Sequence, residues 1–244
     1  MNDASRMVLV DKPGGITSFG VVSWVRRLMG RRKTGHTGTL DPLATGLMIL
    51  GVGQGTKCIS QFVKLDKTYD VVATLGYATE TGDVDGEGIA AQSVEESHRV
   101  VSDMADARGV SVEDMIREVV MSLVGINTLP VPAFSSVKKN GRSLHKYARR
   151  GTVVDLPVRD MKVYAAEFHA IGEDECGYRT VSFTVDVASG VYVRSLVEEM
   201  GKRLGCYAHV RTLRRTRIGE FRVEDAVHPD LVPQRYIGVD FDSK

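Results

Sequence analysis

Short apolar runs separated by turn residues divide the chain into recognisable elements. Residues 7–13, "MVLVDKP", read as a buried strand closed by Lys-Pro. Residues 18–29, "SFGVVSWVRRLM", put Phe19, Val22, Trp24 and Val25 near helical spacing, with Ser18 as the expected N-cap and Gly30 as the stop. After a loop rich in glycine and threonine, "GLMILGVG" has strand length, and "YDVVATLGYAT" reads as a further strand. A helical pattern runs from Val94 to Val124 and breaks near Gly109, where Ser111 can cap a second helix. Pro130 and Pro132 require "LPVPAF" to be extended. "MKVYAAEFHAI" and "YRTVSFTVDVA" supply strands, "YVRSLVEEMGKRLG" a helix ended by Gly205, and "AHVRTLRRTRIGEF" another strand. The order predicts an α+β fold around a largely antiparallel sheet.

Composition narrows the class. A chain of 244 residues with 43% hydrophobic content fits one large globular domain or a domain with a lobe. The odd set Cys58, Cys176 and Cys206 argues against a secreted disulfide scaffold. The N-terminus lacks the basic and apolar regions of a signal peptide, and no apolar run approaches the ~20 residues of a membrane span. A cytoplasmic protein without membrane contact is the expectation.

The net charge of +1 hides its distribution. Arg26, Arg27, Arg31, Arg32 and Lys33 form one acid-free block; Lys138, Lys139, Arg142, Lys146, Arg149 and Arg150 form a second. Lys202, Arg203, Arg211, Arg214, Arg215 and Arg217 form a third, while acids concentrate from Glu80 to Glu118. Any one block reads most simply as solvated surface. Together they can present a positive face to a polyanion, nucleic acid above all.

Several apparent sites fail on chemistry. "GVGQGTK" lacks the Gly-Lys-Ser/Thr order of a phosphate loop. "TGDVDGEG" would place Thr81 and Gln92 where a calcium loop needs carboxylates. Cys206 and His209 have zinc-like spacing but lack a second ligand pair. No metal and no cofactor is expected.

The stretch that composition does not explain is "KTGHTGTLDPLATG", residues 33–46, where Asp41 is the one carboxylate among Gly35, Gly38 and Gly46. Alone, Asp41 reads as a turn-capping aspartate. It does not stand alone. "VLVDKPGGITS", "GHTGTLDPLATG", "GTK", "DKTYDVVATLG" and "TETGDVDG", then "VPAFSSVKKNGRSLHKYARRG", "SGVYVRSLVEEMGKRLGCYAHV" and "LRRTRIGEF", resemble in order the motifs of bacterial TruB-type tRNA pseudouridine synthases. The resemblance runs from Val8 to Phe221.

That resemblance implies a pseudouridine synthase fold that isomerises uridine 55 in the TΨC loop of tRNA, without a cofactor. It assigns Asp41 the essential carboxylate, Arg194 its guanidinium partner, and Tyr69 the ring that stacks on the target base. Lys12, His36, Asp83, Tyr192 and Leu213 fall to the substrate pocket, with His36 beside the flipped base. Residues 130–151 correspond to a clasp for the T arm, where Lys138, Lys139, Arg142, Lys146, Arg149 and Arg150 would meet the RNA backbone. Attack of Asp41 on the sugar, attack on the base and deprotonation of the sugar remain open alternatives.

Domain organisation is expected to be a catalytic domain over residues 1–227 and a short tail over 228–244, without the PUA-like domain of many relatives. A monomer acting on the T arm is expected. Glu80 stands where the family commonly has Asp. The rival readings are a synthase acting on another RNA and a non-catalytic RNA-binding or RNA-folding module on the same scaffold. The intact Asp41, Tyr69 and Arg194 set weighs against the latter.

Overall fold

The computed structural model describes residues 6–232. The chain divides into two compact units, one built from both of its ends (up to Asp70 and from Leu213) and one from Val71–Thr212. In the first, β1 (Arg6–Lys12) leads into α1 (Ser18–Leu28). Thr17, not the expected Ser18, caps α1, its side chain accepting from the Gly20 amide at 2.9 Å. Ser18 is instead buried; its hydroxyl donates to the Leu40 carbonyl at 2.9 Å and accepts from the Leu40 amide at 2.7 Å. Val21, Val22 and Val25 face inward, but Phe19 is 74% exposed, against the reading of its spacing. Gly30 follows the last turn in the left-handed conformation, as its position predicts.

Two further strands frame the Asp41 segment. A short β2 (Thr34–His36), where the sequence suggests only loop, pairs with β3 (Thr45–Val52), and β1 pairs antiparallel along β3 from Arg6↔Val52 to Lys12↔Gly46. The β3 side chains are buried from Gly46 to Val52, which explains its near-continuous apolar sequence. "GVGQGTK" is a 3₁₀ turn over Gly53–Lys57, followed by the short α2 (Ile59–Val63). The chain leaves this unit along β4 (Lys67–Leu75).

In the second unit, β5 (Tyr77–Thr79) and β6 (Gly88–Ala91) form a hairpin flanking the "TGDVDG" turn. Helices α3 (Val94–Arg108) and α4 (Val112–Met121) meet at left-handed Gly109, with Ser111 capping α4 as the sequence predicts. Strand β7 (Gly125–Pro130) follows. Residues 138–143 form a tight hairpin, β8 (Lys138–Lys139) and β9 (Arg142–Ser143). Positive φ at both Asn140 and Gly141 is the signature of the Asn-Gly hairpin turn. After α5 (Leu144–Ala148), β10 (Val158–Glu173) pairs antiparallel with β7 and with β11 (Arg179–Val187). Met161, Val163, Ala166 and Phe168 alternate inward along β10 against α4. Then α6 (Val193–Arg203) ends ahead of left-handed Gly205, and β12 (Ala208–Ile218) carries the chain back into the first unit.

There β12 pairs with β3 in parallel, Arg214↔Thr45 and Arg215↔Gly46, and turns onto β13 (Phe221–Arg222). Met7, Leu9, Leu47, Ile49, Phe62, Ile218 and Val223 form the core beneath. The pairing is mostly antiparallel with helices packed alongside, the α+β class expected.

Gly46 carries the tightest constraint on this pairing. Its φ is +105°, and a Cβ there would lie 2.2 Å from the Arg215 carbonyl oxygen. Gly46→Ala is therefore expected to cost roughly 2 kcal/mol or more of stability, through combined strain and strand separation, as read by urea denaturation.

Candidate active site

The segment between β2 and β3 has little regular structure of its own, so its shape depends on what holds its backbone. Asp41 opens a turn in which the Ala44 amide donates to the Asp41 carbonyl at 3.1 Å. Below it, the fully buried Lys12 donates its ammonium to the carbonyls of Pro42 (3.0 Å), Ala44 (2.5 Å) and Pro13 (3.0 Å). The Gly15 amide also reaches Pro42, at 2.9 Å. Ser18 holds Leu40 on the preceding side. Arg215, only 1% exposed, donates Nε to the Leu47 carbonyl at 2.7 Å and Nη2 to the Gly38 carbonyl at 3.2 Å. Asp41 itself is half-buried on this anchored turn.

His36, Tyr69 and Leu213 belong to the same unit. Tyr69 is buried on β4 on the same side as Lys67, whose ammonium donates to the Val63 and Leu65 carbonyls at the end of α2. Burial first, and the Arg215 charge second, lower the Lys67 pKa to about 8 against the opposing pull of Asp66. Leu213 is buried where β12 enters the unit. Lys12, placed by the resemblance at the substrate, has its ammonium engaged by backbone carbonyls beneath the loop.

In the second unit Arg194 occupies the first turn of α6 and is 3% exposed. Its guanidinium donates to the Thr81 carbonyl at 2.6 Å and the Phe134 carbonyl at 2.9 Å, and Nη1 lies 3.8 Å from the Asp83 carboxylate. Asp83 is buried and itself fixed, accepting from the Thr81 hydroxyl at 2.6 Å and the Asp85 amide at 3.2 Å. Its turn is pinned to β12 through Val84 N to Val210 O, 2.9 Å, and Val210 N to Gly82 O, 3.0 Å. The resemblance puts Asp83 at the substrate; the structure pairs it with Arg194. Tyr192 is half-buried just ahead of α6.

The family model for TruB family pseudouridylate synthases, N-terminal domain, matches residues 26–193, and that for the tRNA pseudouridylate synthase B C-terminal domain matches 194–237. The chain belongs to the TruB family. A tRNA pseudouridine synthase B of Desulfotalea psychrophila is 40% identical over 90% of this chain and 84% of its own length. Another, of Aromatoleum aromaticum, is 38% identical over 91% of this chain and 65% of its own. Among solved structures, a Cbf5-Nop10-Gar1 complex matches with a TM-score of 0.66 and 28% identity, covering 93% of this chain and 54% of that one.

Against this TruB pattern, the clasp residues divide. Lys138, Arg142, Lys146, Arg149 and Arg150 lie toward solvent, whereas Lys139 donates to the Asp155 carbonyl at 2.8 Å and lies 3.6 Å from its carboxylate. Arg142 lies over the Tyr147 ring at 5.5 Å, and the Tyr147 hydroxyl donates to the Lys139 carbonyl. Arg203 pairs with Glu199, Arg211 with Asp174 and Glu175, Arg214 with Asp11, and Arg215 is buried. Sequence reasoning misses the burial of Arg215 because arginine does not signal burial. Among the described residues no cluster suits a metal, and no helix is long and apolar enough to cross a membrane.

Two imidazoles are held below the ordinary histidine range, in both cases first by burial. At His36 the Arg215 charge adds to this and a Gly38 backbone hydrogen bond opposes it; at His209 the Tyr77 carbonyl and nearby acids oppose it. An unfolded chain takes up protons at these positions near pH 6.5 while the folded chain still refuses them. Stability should therefore fall as pH drops below about 6.5, flattening only below the folded values. Melting curves between pH 7.5 and 5 check this, and His36→Gln should reduce the slope.

Proposed function

We propose that this TruB-family chain converts uridine 55 of the tRNA TΨC loop to pseudouridine. The N1–C1′ glycosidic bond breaks, the base rotates, and a C5–C1′ bond forms; C5 gives up its proton and N1 gains one, so no atom or electron enters from outside. The single observation that carries the reading is Asp41 on a turn anchored by Lys12, Ser18 and Arg215, within a family of this activity. Such a carboxylate stays in one place while a base is brought to it.

In this reading Asp41 does the chemistry at the ribose or base, Arg194 holds it ionised and oriented, and Tyr69 stacks on the uracil ring. His36, kept neutral by burial, stacks beside the extruded nucleotide without adding charge. Tyr192 and Leu213 pack beside the base, and Asp83 sets Arg194. The target base lies inside a folded loop, so it is flipped out at a cost of a few kcal/mol. Residues 130–151 clasp the T arm through phosphate contacts, and the protein acts as a monomer in the cytoplasm, where its substrate is.

The test is to incubate the protein with an unmodified tRNA transcript and map pseudouridine at single-nucleotide resolution. Conversion at position 55 alone is expected; conversion elsewhere, or none, rejects the assignment. Asp41→Asn should abolish conversion while leaving tRNA affinity within about threefold, since the amide keeps the shape and loses the chemistry. Substantial turnover by this variant would remove Asp41 from the mechanism.

Neutralising Lys138, Arg142 and Lys146 together should weaken tRNA binding and lower the slope of log affinity against log salt, by roughly 0.7–0.9 for each phosphate that no longer meets a cation. The single-turnover rate at saturating protein should change little. Lys139 is left out because it already bonds to Asp155. An unaltered salt slope would place the clasp cations in solvent.

A further inference from the structure

Arg215 is an arginine buried to 1% exposure whose guanidinium donates to two carbonyls, those of Gly38 and Leu47. These carbonyls flank the Asp41 turn, one on each side in sequence. One glycine of the segment, Gly46, is accounted for by the same residue. A Cβ on Gly46 would collide with the Arg215 backbone, 2.2 Å from its carbonyl oxygen. Burying a guanidinium costs several kcal/mol unless its donors are met. An apolar side chain would fill the same volume but would leave the Gly38 and Leu47 carbonyls without this donor. The fork supplies what an apolar residue lacks: one rigid group bonded to both limbs of a loop.

We propose that Arg215 is a positioning residue for the isomerisation, bracing the two limbs of the 38–47 segment so that Asp41 keeps a single orientation. It acts from the side opposite in sequence to Lys12, which holds Pro42 and Ala44 at the tip. Its charge also reaches His36 and Lys67, lowering the pKa of both. The proposal rests on Asp41 being the reacting carboxylate.

The experiment compares wild type, Arg215→Gln and Arg215→Lys by three measurements: single-turnover rate at saturating protein, tRNA affinity, and hydrogen exchange resolved along the chain. Arg215→Gln should lose about 100-fold or more in rate with tRNA affinity within threefold, and peptides covering 38–47 should exchange faster while β10 and β11 keep their protection. Arg215→Lys restores the charge but not the fork, and should recover less than a tenth of the rate with the same local loss of protection. A rate within threefold of wild type in Arg215→Gln overturns the proposal. So does faster exchange across the whole chain in both variants, which assigns Arg215 to general stability. Should Arg215→Gln fail to fold, Arg215→Lys decides by the same criteria. Absence of isomerisation by the wild-type protein would defeat the functional reading, and the local exchange pattern would still test the brace.

Discussion

Carbonyl groups in an irregular loop have no adjacent strand to bond with, and a loop buried at its base must find donors for them or lose stability. In this protein two cations provide those donors. Lys12 and Arg215 are both almost completely buried, and both donate to backbone oxygens of the segment that carries Asp41. A charged donor makes a stronger hydrogen bond than an amide. The loop is consequently fixed largely by its surroundings.

The same solution recurs in the second unit. Arg194 is held by the carbonyls of Thr81 and Phe134 as well as by Asp83, and Asp83 is held by Thr81 and Asp85. Gly82 is required where the backbone passes α6: its φ is +74° and a Cβ would meet Glu198 at 2.7 Å. Asp41 and Asp83 thus both sit on short irregular segments whose polar groups are bonded to a neighbouring helix or strand. On the proposed function, rigidity of this kind leaves little reorganisation for the reaction step.

The sequence makes some of this legible and conceals the rest for identifiable reasons. The helix boundary at Gly109 and Ser111 is plain because left-handed glycine and a serine cap are local devices. The alternation of β10 and β11 is plain because one face is buried and the other wet. Thr17 and Ser18 are equally good caps by residue type; Ser18 is taken by Leu40, a contact 22 residues away that no local pattern contains. Phe19 looks like core and is exposed because helical spacing identifies a face only to within a residue or two. Within "YDVVATLGYAT", read as one strand, the break between β4 and β5 at Gly76 is not signalled, and β6 is hidden in a segment whose composition signals turn. Of the candidate site, Asp41, Tyr69 and Arg194 are recognisable by their motifs, whereas Arg215 is indistinguishable from its more exposed neighbours. Burial of a cation is decided by tertiary partners, and those partners are backbone atoms that carry no residue identity.

The division of the chain into units also orders events in time. The second unit is one continuous stretch, Val71–Thr212, while the first needs residues on both sides of it. A ribosome working at roughly 5–20 residues per second spends on the order of 10–30 s between emitting Asp41 and emitting Arg215. Throughout that interval β1, β2 and β3 have been made but β12 has not, and the Gly38 and Leu47 carbonyls lack the guanidinium that later joins them. The nascent chain therefore carries Asp41 in an unbraced loop, and that loop acquires its final shape only once β12 has been made.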